Sequence, residues 1–258
     1  MVATSRFERF VALGDSTTEG LDDSDGAGGF RGWANRLAER LAAAQGGLLY
    51  ANLGVRGRGA EEIRRDQLEP AVAMRPDLAT VVAGMNDLLR WDFDAAGVAG
   101  AVGEMQHALV ECGAVVVSFT IPDASRRMPI RGGLSKRTAA LNEALRRVSA
   151  QSGAVLLDLA AHELAADPRL WSVDRLHANS DGHARIADAI AHLLGLPGAD
   201  DRWMQSLPPA NEGVIERIAV DVHWARHYVF PWLWRRIRGH SAGDRVGAKR
   251  PELTPWSP

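Results

Sequence analysis

Five short, almost continuously apolar runs constrain this chain more than any other feature: residues 10–13, 48–53, 78–83, 114–119 and 155–159. A strand that is apolar at nearly every position must be covered on both faces, as a parallel strand between two layers of helix is. The intervening stretches carry the spacing such layers need. Trp33, Leu37 and Leu41 recur at i, i+4 and i+8, and Val98, Val102, Met105 and Leu109 form a similar stripe. Leu141, Leu145 and Val148 continue the series, followed by Ile186, Ile190 and Leu194. Strands alternating with such helices predict βαβ units and a doubly wound α/β sheet. No internal repeat is visible.

In sheets of this kind, ligands bind beyond the carboxyl ends of the strands, near a topological switch point. Gly14-Asp15-Ser16 directly follows the first run, Gly54 the second, and Gly84-Met85-Asn86-Asp87 the third. These segments therefore share one edge of the predicted sheet. A fourth, Asp174-Arg175-Leu176-His177, precedes the last helix and should reach over the same edge.

Together they hold what an acyl-transfer reaction needs. A serine hydroxyl is a poor nucleophile without a base, and His177 is the candidate to take the Ser16 proton and return it to a leaving group. Asp174, three residues earlier, is placed to accept from the imidazole Nδ1–H, which fixes the tautomer. The Ser16 and Gly54 amides and the Asn86 side chain are candidate oxyanion donors, with glycine giving a backbone amide an unobstructed approach. Asp15 adjoins Ser16 and is a rival for the triad acid. Neighbours on an extended segment point opposite ways, so it reads as a structural hydrogen-bonding carboxylate. Asp87 reads as a brace for its own loop, and His183 as a solvated or packing residue.

The four blocks resemble those of the SGNH hydrolases, the GDSL esterase/lipase superfamily. They run Gly14-Asp15-Ser16-Thr17-Thr18-Glu19-Gly20, Asn52-Leu53-Gly54, Gly84-Met85-Asn86-Asp87 and Asp174-Arg175-Leu176-His177, in the family's order over about residues 7–195. Thr17 stands where the GDSL name has leucine. The resemblance implies a flavodoxin-like three-layer α/β/α sandwich around a five-stranded parallel sheet. It also implies a reaction needing neither metal nor organic cofactor, on esters, thioesters or amides of acyl compounds. The expected function is ester hydrolysis through a Ser-Asp-His triad and an acyl-enzyme. The alternatives are an acyltransferase, a lysophospholipase-like lipid hydrolase and, in a different class, a noncatalytic ligand-binding protein.

Other features point elsewhere less strongly. The remaining histidines are scattered, and only His223 and His227 make an i, i+4 pair, so no metal site is expected. Gly26-Ala27-Gly28-Gly29 lacks the lysine of a phosphate loop and reads as a mobile loop beside the pocket. Arg126, Arg127 and Arg131 make either a basic mouth for an anionic acyl substrate or a solvated basic loop. A formal net charge of −2 gives no case for nucleic acid as a partner. The single cysteine, Cys112, excludes an intrachain disulfide and reads as a buried or half-buried thiol. With no secretory signal and no apolar run of transmembrane length, a cytoplasmic protein is expected.

Composition changes near Pro197, dividing the chain into a catalytic domain, residues 1–196, and an extension, residues 197–258. The extension starts with a linker and continues into a helical stretch over residues 211–230. Pro231 should interrupt that stretch. Its end, residues 239–258, reads as poorly ordered. Trp232, Trp234, Arg235, Arg236 and Arg238 have two readings: packing on the catalytic domain or a second subunit, or a seat in a membrane interface. The apolar stripe is incompletely amphipathic, which favours packing. Packing predicts that neither the full chain nor one ending at Leu196 floats with liposomes, whereas flotation of the full chain alone would establish the membrane reading.

Overall fold

The computed structural model describes residues 6–127, 133–208, 243 and 246–256, with Arg126 described in its backbone alone. The expected parallel strands are present: β1 (Arg9–Gly14), β2 (Leu49–Asn52), β3 (Leu78–Val82), β4 (Val115–Phe119) and β5 (Val155–Leu157). They pair in the order β5-β4-β3-β1-β2. This is the flavodoxin-like order, with its switch point between β1 and β3.

Helices cover both faces, as the apolar runs require. α1 (Ser16–Glu19) and α4 (Met85–Leu88) are single turns. The long helices are α2 (Gly32–Gln45), α3 (Ala60–Ala73), α5 (Ala95–Glu111), α6 (Gly133–Ser152) and α7 (Ser180–Leu193). Alternate strand residues feed two separate cores. Phe10, Ala12, Tyr50 and Phe119 pack with Trp33 and Leu37 of α2 and Ile190 of α7. Val11, Leu13, Ala51 and Val116 pack with α3, α5 and α6 through Ile63, Met105 and Leu141. The three layers thus match the expected sandwich.

Three features depart from the sequence reading. α3 was not expected, because its inward face is Ile63, Gln67 and Ala71, a stripe with a polar residue at its centre. Gln67 is buried to connect layers: its Oε1 accepts from Gly14 N at 2.8 Å and its Nε2 donates to Gly14 O at 2.9 Å. The sheet also gains a sixth strand, β6 (Arg250–Pro255), antiparallel on the edge of β2. The end of the chain is therefore partly ordered. Its alternating polar sequence disguises an edge strand that is hydrogen-bonded on one side only, and Trp256 anchors it edge-on against Tyr50 at 5.6 Å. Finally, Cys112 is exposed, at the end of α5.

Packing also continues past Pro197. Trp203, in a 3-10 turn at Asp201–Met204, is buried in the α2–α7 core, and its ring meets His162 at 4.8 Å. The division at residue 196 describes composition rather than packing. Residues 211–238, including the aromatic–arginine stretch, lie outside the described residues. Replacing Gln67 with Ala strands the buried Gly14 N–H and leaves Gly14 O with its bond from Val55 N at 3.1 Å, so urea denaturation should show a loss of about 1–3 kcal/mol.

Candidate active site

Ser16 stands at the first position of α1, directly beyond β1. First-turn amides of a helix have no carbonyl of their own helix to bond, so the Ser16 N–H is directed outward. Asp15 caps the turn, its Oδ1 accepting from Thr17 N at 2.9 Å. Its Oδ2 accepts from Asn86 Nδ2 at 3.0 Å, which ties the β1 loop to the β3 loop across the switch point. Burial pushes the Asp15 carboxyl up to about 6, against the lowering effect of the Thr17 amide and the His177 charge. Asp15 thus holds the Thr17 amide and Asn86 with its two oxygens, while its charge also acts on His177.

The acid–base pair is assembled from the other end of the chain. His177 Nε2 lies 2.8 Å from Ser16 Oγ, and its Nδ1 lies 2.5 Å from Asp174 Oδ2. Because an ionised carboxylate accepts only, Nδ1 carries the proton and Nε2 presents its lone pair to the serine hydroxyl. The local sequence makes this geometry. Asp174 Oδ1 accepts from the amides of Leu176 at 2.9 Å and His177 at 3.0 Å, closing a tight turn. Arg175 takes a left-handed φ of 64° within it, and Ser172 N donates to His177 O at 2.8 Å. Asn179 then caps α7 by accepting from Gly182 N.

Burial alone would lower the His177 pKa, but the hydrogen bond and charge of Asp174, with the charges of Asp22 and Asp15, raise it above the ordinary imidazole value. Burial alone would raise Asp174, but its bonds to His177 and the two amides hold it below the usual carboxylate range.

Asp22 is a contributor the sequence reading missed. Its carboxylate lies 3.9 Å from His177 Nδ1 and accepts from Ser172 Oγ at 2.6 Å. Its φ of 68° is a left-handed conformation, uncommon outside glycine but better tolerated by Asp. Only the tertiary fold brings it across 155 positions (177 − 22) to the histidine.

The expected oxyanion donors converge on α1, though two already have partners. Gly54 N donates to Asn52 Oδ1 at 3.0 Å, and Asn86 Nδ2 donates to Arg58 O at 3.1 Å as well as to Asp15. A Cβ at Gly54 would lie 2.7 Å from Glu19 N, so glycine is needed there to seat α1 as much as to admit a ligand. Gly84, before Asn86, combines a φ of 116° with a close approach to Leu141.

The other singled-out residues sort clearly. Asp87 Oδ2 accepts from Ala60 N at 3.0 Å and caps α3, bracing more than its own loop. His183 is buried: Nδ1 accepts from Trp33 N, Nε2 donates to Leu21 O, and burial pushes its pKa down to about 4, so it is a neutral packing residue. Arg127 is neither a solvated side chain nor a basic mouth. It is buried over the Trp171 ring at 3.5 Å, its Nε donating to Arg175 O, and burial pushes its pKa down to about 9. Arg131 and the Arg126 side chain lie outside the described residues. The 26–29 loop is closed by Asp25 Oδ1, which accepts from Ala27 N and Gly29 N.

Asp22, Asp174 and His177 bring ligand-type atoms within 4.8 Å of one another. The histidine nitrogen facing both carboxylates is Nδ1, whose proton serves the Asp174 bond, so the trio is a hydrogen-bonding group. No helix among the described residues is long and apolar enough to cross a membrane.

A family model described as GDSL-like Lipase/Acylhydrolase matches residues 12–185. The GDSL lipase Rv0518 of Mycobacterium tuberculosis (strain ATCC 25618 / H37Rv) is 27% identical over 203 residues, covering 74% of this chain and 83% of that protein. Two solved structures share the fold. Axe2, an acetylxylan esterase from Geobacillus stearothermophilus, superposes with a TM-score of 0.61 at 16% identity, covering 78% of this chain and 97% of its own. The psychrotrophic esterase EstA from Pseudoalteromonas sp. gives 0.58 at 18% identity, covering 73% and 97%.

Catalysis by a neutral His177 should fade as pH falls through its raised pKa, so kcat/KM should show an acid limb above the ordinary imidazole value. Asp22→Asn removes a negative charge that favours the imidazolium, and should move that limb to lower pH in a pH–rate profile.

Proposed function

We propose, since this chain belongs to the GDSL-like lipase/acylhydrolase family, that it cleaves carboxylic esters through a serine acyl-enzyme formed on Ser16. The family makes it a hydrolase acting on ester bonds. The observation that carries the mechanism is the unbroken chain Ser16 Oγ, His177 Nε2, His177 Nδ1, Asp174 Oδ2, at 2.8 and 2.5 Å.

The steps follow from those contacts. Ser16 Oγ attacks the acyl carbon while its proton passes to His177 Nε2, and Asp174 stabilises the resulting imidazolium. The carbonyl oxygen, now an oxyanion, is received by the Ser16 amide, by Asn86 Nδ2 and by the Gly54 amide, which turns its one proton from Asn52 Oδ1 to the ligand. Asn86 makes its contribution by exchanging its longer bond, to Arg58 O, for the ligand while keeping Asp15. Collapse breaks the ester C–O bond, and the departing alkoxide takes the proton from Nε2 and leaves as the alcohol. A water then loses a proton to His177 as its oxygen attacks the acyl carbon. The second collapse breaks the bond to Oγ, Ser16 recovers the proton, and the carboxylic acid leaves.

Ser16, His177 and Asp174 supply the nucleophile, the base and the orienting carboxylate of this scheme. An acyltransferase would share the first half and differ only in the acceptor, so an added alcohol would yield a new ester instead of free acid. The Ser16–His177 contact speaks against a purely binding role.

A fluorophosphonate probe should label the folded wild type and not Ser16→Ala, and that variant should lose hydrolysis of p-nitrophenyl acetate. Asn86→Ala should retain its circular dichroism spectrum and lower kcat about a hundredfold or more, corresponding to roughly 3 kcal/mol of barrier. Failure of the folded wild type to label would refute the mechanism.

A further inference from the structure

An apolar cavity of about 90 Å³ lies beneath the carboxyl ends of β3, β4 and β5. Phe119, Ile121, Leu159, Leu170, Ile186 and Trp203 form its walls. It abuts the catalytic residues on both sides: Asp15 and Thr17, the neighbours of Ser16, line it, and so do Leu176 and Ala178, the neighbours of His177. Met85, next to Asn86, lines it too. Thr17, Met85 and Leu176 are each only partly buried, so the cavity reaches the surface within one residue along the chain of Ser16, Asn86 and His177.

We propose that this cavity is the acyl pocket and that it selects short, unbranched aliphatic acyl groups, a deepening that rests on the ester-hydrolysis reading above. An unfilled apolar cavity destabilises a fold in proportion to its volume, and such cavities stay dry and take apolar ligands. A recessed apolar space suits the part of the substrate that stays bonded to Ser16 through the intermediate. The alcohol, which must leave while the acyl group remains, needs an open path. At about 90 Å³ the cavity is roughly three-fifths of the ~150 Å³ that accommodates benzene, which leaves room for about three or four carbons beyond the carbonyl. The preferred substrates are therefore butyryl and valeryl esters, ahead of acetyl esters, which leave the pocket empty, and of octanoyl and longer esters, which overfill it.

Two substitutions in the outer wall change the volume in opposite directions. Ala165 and Leu164 lie in a 3-10 turn at Glu163–Ala166 and both line the cavity. The experiment measures kcat/KM on p-nitrophenyl esters from acetyl to dodecanoyl, with fluorophosphonate labelling of Ser16 in each protein. Wild type should peak at four or five acyl carbons and fall at least tenfold by octanoyl. Ala165→Leu should lower the butyryl-to-acetyl ratio at least fivefold, and Leu164→Ala should move the peak to longer chains. Because one variant enlarges and the other fills, misfolding of either leaves the other as the test. Labelled Ser16 with a flat chain-length profile, or with a profile that the folded variants leave unmoved, overturns the pocket while the mechanism stands. No labelling and no Ser16-dependent hydrolysis of any ester overturns both.

Discussion

A single turn of helix cannot hold itself together, because its nucleation cost is met by too few hydrogen bonds. Yet Ser16, the proposed nucleophile, sits on such a turn, the four residues of α1. Much of the fold around the site is an answer to that problem. Asp15 caps the start of α1, and Thr18 Oγ1 donates back to Leu13 O. Asn52 Nδ2 donates to Thr18 O at 2.8 Å, binding α1 to the end of β2. Gln67 holds both backbone groups of Gly14 from α3. At the far end, half-buried Lys249 donates to Glu19 O at 2.7 Å and to the carbonyls of Phe30 and Arg31. Desolvation pushes that lysine down to about 8, against the raising effect of the Glu19, Asp25 and Asp23 charges. Glu19 itself is buried against Arg56. The position of Ser16 therefore depends on three helices or strands and on the last segment of the chain.

The carboxylates near Ser16 show how environment divides their work. Asp15 faces the apolar cavity and is fully enclosed, so burial raises it despite its amide bond. Asp174 is held down by the His177 hydrogen bond and charge and by two amides, and stays ionised. Asp22, at the exposed edge, adds charge near Nδ1 while Ser172 orients it.

The strands and most helices were legible because a doubly covered parallel sheet forces apolar continuity, and amphipathic helices repeat visibly. Ser16, Gly54, Asn86, Asp174 and His177 were legible because their residue types fall at strand ends, where such folds bind ligands. α3 was not, since Gln67 interrupts its inward stripe for a reason that exists only once Gly14 is beside it. Nor was β6, whose residues read as a polar tail until β2 offers an edge. Arg127 illustrates the converse: in sequence it belongs to a basic cluster, and in space it is a buried staple between Trp171 and Arg175.

What can be read along the chain is therefore local and periodic: the layer architecture, the strand-end positions of the chemical groups, and the Asp174 turn that presents His177. Each depends on residues close together in the chain, whose spacing is the physical cause of the structure. Everything set by apposition of distant segments had to await the folded chain. That includes Asp22 beside His177, the partners already held by Gly54 and Asn86, Lys249 under α1, and a cavity beside the triad. Those features are relations between surfaces, and no surface exists until the sheet brings its strand ends together.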